Sequence, residues 1–455
     1  LLGAMASAAS PLLRPRRDGG ALPADLALYR SHSLPLRRAL LRGALSHLGA
    51  LQAEEIRRNV AAHPEEAFRG GAPGLEYEAA AALRLERRAA TAPAAVESLG
   101  VKTVTLAHGG AEEPLWPLMH LCVRCCDFAA AVRVADAASL AQTPKLLALL
   151  RLVAAEFGAG APLVMAPADA LPDAVRAAQA EFWTFAASAE PELRLLYSVL
   201  AAPDPSVPLS EFVPGSSPTV EDWLWHQLSM CRAQMHSSAD ATISLRGGDA
   251  LLRLQQTLHE TYGESYFDSS RRAPLLYTSV LLHSLQFERA NAYLDAFEPV
   301  ADDALHLALA LEHEGLLATA PTPVAEQDGP LLASSAGDPP LLRLGAMLRR
   351  GLRPWAQDDA AAALGYVSFS RLARDEKERI AVEMLVTTGQ ADVLLRPLPL
   401  VEGSLKHAIT GAVATRLSER GLVLQAAQLL EASREYAQLA ELLVHAVSKQ
   451  IVDTA

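Results

Sequence analysis

An all-α chain of stacked helical hairpins, an irregular α-solenoid, is the fold class this sequence predicts, and three observations carry the prediction. Of the 455 residues 51% are hydrophobic but only 5% aromatic, so the apolar content is mostly Ala and Leu, both strong helix formers. Strand-length runs of alternating β-branched residues, the usual mark of a sheet, are nearly absent. Short turns followed by Ala-rich helical faces recur at irregular intervals, with no strict tetratricopeptide-type period. A chain of this length usually divides into domains of roughly 100–200 residues. A solenoid escapes that division because each repeat buries its face on its neighbours, and one continuous solenoid over 1–455 is expected.

The elements follow in order. Helices are expected over 33–49, 52–62 and 75–90, the last two separated by a Pro/Gly break at 63–74. Pro114-Leu115-Trp116-Pro117-Leu118 opens the next helix, since proline is tolerated in a first turn, and this helix ends near Cys125. Asp127 caps its successor by accepting a backbone N–H. Ala130, Ala131, Val134 and Ala135 give that successor a face on which an antiparallel neighbour can close.

Thr219 is the expected N-cap of a helix that places Glu221 and Asp222 at the positive end of its dipole. Val220, Trp223, Leu224, Leu228, Cys231 and Met235 share one face, and Trp225 lies off it, so the helix should bury two sides. Asp249 caps a helix carrying Leu251, Leu254 and Leu258, which Gly263 stops; Pro274 starts another. Tyr262, Tyr266 and Phe267 are expected to plug the corner between two hairpins, with Trp223 and Tyr262 buried. Leu285-Gln286-Phe287 turns into Ala290, Ala292 and Leu294. Gly421 holds a left-handed cap position, and Ser433-Arg434-Glu435-Tyr436 makes the last turn. Longer loops interrupt the pattern at 203–218 and 320–340, and the second reads as mobile surface.

Charge and cysteine content exclude several classes. A net charge of −12 is wrong for a duplex-binding protein, which needs a basic face; Arg14-Pro15-Arg16-Arg17 and Arg349-Arg350-Gly351-Leu352-Arg353 are short surface clusters. Cys122, Cys125, Cys126 and Cys231 do not make a disulfide framework in so long a chain. The single CxxC, Cys122 to Cys125, lacks the second ligand pair of a zinc site. No apolar run reaches the ~18–20 residues of a membrane span; 146–165 comes nearest and is broken by Arg151 and Glu156. The chain opens at Leu1 without a signal sequence, as expected of part of something longer.

Three stretches, taken in order, carry a family resemblance: Glu221-Asp222-Trp223-Leu224-Trp225, Tyr262-Gly263-Glu264-Ser265-Tyr266-Phe267 and Leu285-Gln286-Phe287-Glu288-Arg289-Ala290. Upstream, Leu115-Trp116-Pro117-Leu118 with Cys122-Val123-Arg124-Cys125-Cys126-Asp127 looks like a Trp-Pro…Cys-x-Arg-Cys-Gly-Asp hairpin, with Cys126 in the glycine position. Downstream lie Gly337-Asp338-Pro339-Pro340, Arg374-Asp375-Glu376-Lys377, and Arg420-Gly421-Leu422 through Ala440-Glu441-Leu442-Leu443. This set resembles the nucleoporin-interacting-component (Nic) family of inner-ring scaffold nucleoporins. The matching region is 114–452, and 1–100 joins it by continuity.

The resemblance implies a fold-back solenoid similar to vesicle-coat scaffold elements, set in the inner ring of the nuclear pore complex at the nuclear envelope. There it would support pore assembly and the transport of protein and mRNA. It implies other nucleoporins as partners. The large inner-ring solenoids and the Phe-Gly channel trimer would meet an N-terminal coiled-coil part that this chain lacks, and a membrane-adjacent linker nucleoporin would meet the helical domain. The C-terminal end of the solenoid is expected beyond 455. Trp116, Asp127, Glu221, Asp222, Trp223, Trp225, Tyr262, Gly263, Tyr266, Phe267, Phe287 and Gly421 are expected to be packing positions of the family motifs, and partner-binding residues stay unassigned.

Nothing in the sequence builds a catalytic, cofactor or metal site. Gly263-Glu264-Ser265 begins like a nucleophile elbow but lacks the final glycine and the preceding strand. Asp302-Asp303 and Asp358-Asp359 lack second acidic ligands and read as helix N-caps. His306 and His313, and His226 beside Trp225, lack the spacing of a zinc protease. Gly19-Gly20, Gly70-Gly71 and Gly247-Gly248 are isolated turn pairs. An enzyme is not expected. The alternative is an all-α helical-repeat adaptor or vesicle-coat-like scaffold outside the pore, which has no reason to carry the collinear block from 116 to 443.

Overall fold

A computed structural model describes residues 1–17, 33–70, 72–89, 102–107, 111–140, 142–158, 170–212, 218–237, 250–323, 329–333 and 339–454. Helix dominates them. The chain divides into two compact units: Leu1–Arg14, Arg30–Ser269 and Val280–Leu285 in the first, Pro15–Tyr29, Ser270–Ser279 and Gln286–Ala455 in the second.

The first unit opens with α1 (Leu2–Arg17), α2 (Leu34–Ala62) and α3 (Leu75–Ala89). Then come α4 (Leu115–Arg124), α5 (Phe128–Ala137), α6 (Pro144–Phe157), α7 (Ala170–Trp183), α8 (Pro191–Ala201) and α9 (Val220–Ser237). From α4 to α9 each helix packs on the next, and α2 returns to lie against both α3 and α9. α10 (Ala250–Gln256) runs into a π-helical turn over Thr257–Tyr262 and a short α11 (Gly263–Phe267).

Two expectations change here. The helices predicted over 33–49 and 52–62 are one helix, α2, begun by the Ser33 hydroxyl accepting from Leu36 N. Gly49 is a contact rather than a break: a Cβ there would lie 2.7 Å from the Cys125 carbonyl and 2.9 Å from Cys126 Cβ. Gly43, one helical face away, meets the Met5 backbone of α1 in the same manner, at 2.6 Å. The sequence also hides a small antiparallel pair, β1 (Thr103–Thr105) with β2 (Glu112–Pro114), joined Thr103 to Pro114.

The second unit takes α13 (Phe287–Leu294) and α14 (Ala301–His313), after α12 (Pro274–His283), whose residues fall on both sides of the division. It continues with α15 (Leu344–Asp358), α16 (Ala360–Phe369), α17 (Arg374–Thr388), α18 (Gly403–Glu419), α19 (Val423–Ala432) and α20 (Tyr436–Thr454). From α13 to α20 each again packs on its successor.

The hairpin turns share one backbone device. Cys126, Leu285, Gly421 and Arg434 sit at φ 56°, 64°, 79° and 62°, in the left-handed region that ends helices. Beyond three of them an N–H reaches back to an orphan carbonyl: Asp127 to Cys122 at 3.0 Å, Leu422 to Leu417 at 2.9 Å, Glu435 to Leu430 at 2.9 Å. Gly315 makes the same turn after α14, with Leu316 N donating to Leu311 O at 2.8 Å. Only glycine enters this region without steric cost, which is why glycine suits position 126 in the family pattern; the cysteine here carries the strain.

The described part of the 320–340 loop is pinned rather than loose. Ala318 N donates to the buried Glu288 carboxylate at 2.7 Å, and Thr322 N to that of Glu376 at 3.1 Å. Between these anchors Ala320 N and Leu342 N exchange bonds with Leu342 O and Ala318 O, both at 2.9 Å. β3 (Leu332–Ala333) and β4 (Leu341–Leu342) pair alongside. In the 203–218 loop a 3₁₀ turn over Leu209–Glu211 buries Leu209 and Phe212. Asp249, Gly19-Gly20, Gly71, Gly247-Gly248, Gly337 and Asp338 lie outside the described residues.

Candidate functional site

The motif residues of the first unit converge on Arg124. It is the last residue of α4, and it is only 4% exposed. Its Nη1 donates to the Leu48 carbonyl of α2 at 3.1 Å and its Nε to Asp222 Oδ1 of α9 at 2.9 Å. The guanidinium also lies over the Trp225 ring, 5.2 Å from its centroid, where the charge meets the ring's negative face.

Asp222 serves two structures at once. Its Oδ2 accepts from Thr219 N at 3.4 Å and from the Thr219 hydroxyl at 2.9 Å, while Asp222 N donates to Thr219 Oγ1 at 3.1 Å. This is a reciprocal N-terminal cap with aspartate in the usual glutamate role, and it confirms Thr219 as the cap residue. Next to Arg124, the Cys126 thiol donates to Leu45 O at 3.2 Å and Gly49 accepts the turn in van der Waals contact. Asp127 caps α5 through Ala130 N at 2.9 Å. α2, the α4–α5 hairpin and α9 are thereby locked at one point.

Around this point stand further cross-helix ties. Trp116 is buried and its indole N–H donates to Glu190 at 3.1 Å, at the start of α8. Glu181 of α7 accepts the N–H groups of Lys145 and Leu146 at 3.0 and 2.9 Å, and the Tyr197 hydroxyl at 2.7 Å. It thus caps α6 from a different helix. Burial and this carboxylate push the Tyr197 phenol far above its ordinary value. Glu181 was invisible in the sequence, because its capped residues lie 35 and 36 positions away.

The aromatic corner differs from expectation. Phe267 is buried, Trp223 and Tyr262 are half-buried, and Tyr266 is 66% exposed. The rings contact one another in a chain: Trp223 meets Tyr262 edge to face at 5.9 Å, Tyr262 meets Tyr266 at a tilt at 4.7 Å, and Tyr266 meets Phe267 edge to face at 5.1 Å. The π turn before Gly263, and Gly263 itself at φ 65°, rotate the following residues away from the helical phase assumed from spacing. On α9 it is Trp225, not Trp223, that goes fully into the core, and Glu221 faces solvent. In the second unit Phe287 is fully buried at the start of α13. Gly421 ends α18 in the left-handed conformation.

The reactive-looking groups are held inert. Burial is the main force raising the thiols: Cys122 goes well above its usual value, Cys125 to about 12 and Cys126 to about 11, so none is a nucleophile. His226 is 0% exposed and shares a 3.0 Å hydrogen bond with the Ser198 hydroxyl, and burial pushes its pKa down to about 4. Its Nδ1 has no acidic partner to orient it, as a catalytic dyad requires. Asp359 caps α16 through Ala362 N at 2.9 Å, as expected. Asp302 does not cap: Val300 is the N-cap of α14, and Asp302 instead accepts from Trp355 Nε1 at 3.2 Å. Among the described residues no group of three His, Cys, Asp or Glu side chains could hold a metal, and no helix is long and apolar enough to cross a membrane.

A family model described as Nup93/Nic96 matches residues 22–455. The nuclear pore complex protein Nup93 of Danio rerio is 28% identical over 361 residues, covering 75% of this chain and 41% of that protein. Nup93 of Xenopus tropicalis is 27% identical over 455 residues, covering 95% and 51%. The nucleoporin NIC96 of Chaetomium thermophilum is 30% identical over 169 residues, covering 36% of this chain and 14% of that one. The chain spans about half the length of the vertebrate relatives it matches. The crystal structure of Chaetomium thermophilum Nic96 SOL is similar in fold, with a TM-score of 0.69 at 19% identity over 98% of this chain and 66% of that one.

Proposed function

This chain belongs to the Nup93/Nic96 family, and from that membership we propose that it is a scaffold nucleoporin of the nuclear pore complex inner ring. The observation that carries the proposal is how the motif residues are used. Trp116, Arg124 and Asp222 tie one helix to another through hydrogen bonds, Trp225 does so as the ring beneath the Arg124 guanidinium, and Asp127 caps the helix that completes the hairpin. A protein whose most distinctive residues lock helix to helix supplies rigidity, and its function lies in what that rigid body presents to partners.

The reading extends to one continuous solenoid across 1–455, residing at the nuclear envelope and supporting pore assembly and nucleocytoplasmic transport. Its partners are other nucleoporins. The large inner-ring solenoids and the Phe-Gly channel trimer engage an N-terminal part of the whole protein, and a membrane-adjacent linker nucleoporin engages the helical domain. Affinity capture of the full-length protein under gentle lysis tests this. Inner-ring nucleoporins and the channel trimer should co-purify. Recovery of vesicle-coat subunits instead would move the protein to a coat or adaptor role outside the pore.

A further inference from the structure

Five side chains on three helices of the first unit form a charge cluster that packing leaves unbalanced. Arg38 and Arg42 stand one turn apart on α2, Arg232 and His236 one turn apart on the facing α9, and Glu156 lies at the end of α6. Arg232 Nη1 is 3.0 Å from Glu156 Oε2, and His236 Nε2 is 3.5 Å from Oε1. Arg42 donates to the Glu156 backbone carbonyl at 3.0 Å, and Arg38 to that of Met235.

The charges do not cancel. Three guanidinium groups face one carboxylate, and the C-terminal ends of α6 and α9 add only about half a negative charge each. Among the described residues close to one positive charge is left without a counter-charge, in a place where Arg232 is 3% and His236 6% exposed. Arg38 Nε is buried with no hydrogen-bond acceptor, and His236 Nε2 has only its long 3.5 Å contact with Glu156 Oε1. Buried charge and buried donors are costly unless paired. The cluster nonetheless reaches the surface, because Arg38, Arg42 and Glu156 are half-buried.

We propose that Arg38, Arg42, Arg232 and His236 form an oxyanion site that takes a phosphate group. Arginine forks suit this group because they present paired donors to its oxygens. In the free site burial holds His236 below its ordinary pKa, Glu156 pulls it up, and Arg232 and Arg38 push it down. A bound phosphate is a second anion facing the same ring, so His236 takes up a proton as the site fills. The phosphate comes either from a free small molecule or from a phosphorylated side chain of a partner.

The intact chain is titrated with inorganic phosphate, with pyrophosphate, and with a short phosphoserine peptide flanked by glycines, against chloride at matched ionic strength. Melting temperature and calorimetric binding are both read. Phosphate is expected to raise the melting point by about 2–4 °C over chloride, and Arg38→Gln with Arg42→Gln, both half-buried positions, should abolish the rise. Glu156→Gln removes the competing carboxylate, so it should lower stability without phosphate yet tighten phosphate binding roughly tenfold. Binding of the peptide alone assigns the site to a phosphorylated partner, and binding of the inorganic ions assigns it to a small molecule. The proposal is overturned if phosphate acts no differently from chloride in both the wild type and Glu156→Gln, or if the double arginine variant keeps the full shift.

Discussion

Arg124 and Asp222 stand 98 residues apart in the chain and 2.9 Å apart in the fold. One belongs to the cysteine-containing hairpin and the other to the tryptophan-containing helix, so the pair joins two motifs that look independent in the sequence. Because Arg124 is buried, removing its partner leaves an unpaired charge inside the protein. Asp222→Ala should therefore cost about 2–4 kcal/mol and Arg124→Ala about 3–5 kcal/mol. A double-mutant cycle by urea unfolding should show a coupling of about 1–3 kcal/mol. Additive losses would mean that the two residues stabilise separate places.

Two glycines inside helices should respond in opposite directions to the same substitution. Gly49→Ala puts a methyl group 2.7 Å from the Cys125 backbone, and the overpacking should outweigh the helix-propensity gain by about 2–3 kcal/mol. Gly411, inside α18, has nothing within 4 Å of a built Cβ. Gly411→Ala should stabilise by about 0.5–1 kcal/mol. Thermal melts of the two variants decide the matter, and shifts of the same sign would contradict the close contact of α2 with the α4–α5 turn.

The aromatic corner should divide by burial, not by residue type. Phe267→Ala should cost about 3–5 kcal/mol, as buried aromatic truncations do, whereas Tyr266→Ala should stay within about 0.5 kcal/mol of wild type. Denaturant midpoints read both. A loss at Tyr266 as large as that at Phe267 would put Tyr266 back among the core plugs that its sequence spacing suggested.

Acid should weaken the first unit in two separable steps. His226 has a folded pKa of about 4 against an ordinary 6.5. The folded state therefore binds fewer protons than the unfolded state between these values. The neutral ring's stability is complete above pH 6.5 and falls by about 3 kcal/mol as the pH drops through that window. Burial opposes ionisation of Glu156, but the 3.5 Å contact of His236 and the charges of Arg232 and Arg42 hold its pKa at about 2 against 4.5. Its contribution is present above pH 4.5 and is lost only below that. His120, which burial likewise holds at about 4, titrates in the same window, so His226→Gln should roughly halve the pH dependence of unfolding free energy between 6.5 and 4.5 and leave the lower step in place. A slope in the upper window as steep as that of the wild type would contradict a neutral, buried His226.

What the sequence made legible was local. Asp127 and Thr219 as caps, the Ala130–Ala131–Val134 face and the left-handed turn at Gly421 each follow from a residue and its near neighbours, and each is in place. Contacts made by distant residues were not legible. The stretch 33–62 read as two helices, the first ending at Gly49, because the partner of Gly49 at Cys125 lies on another hairpin. Glu181 caps a helix it does not belong to, and the segment after α14 read as mobile because Glu288 and Glu376, which hold it, come from other elements. At the aromatic corner the cause was phase: a π turn shifts every later side chain, and no composition or spacing announces it.

The scaffold reading is tested most directly by imaging the full-length protein with a fluorescent tag in its own cells. A punctate nuclear rim is expected, one that persists when the only copy carries Tyr266→Ala and fades when it carries Arg124→Ala. A diffuse or vesicular signal from the wild-type protein would contradict it.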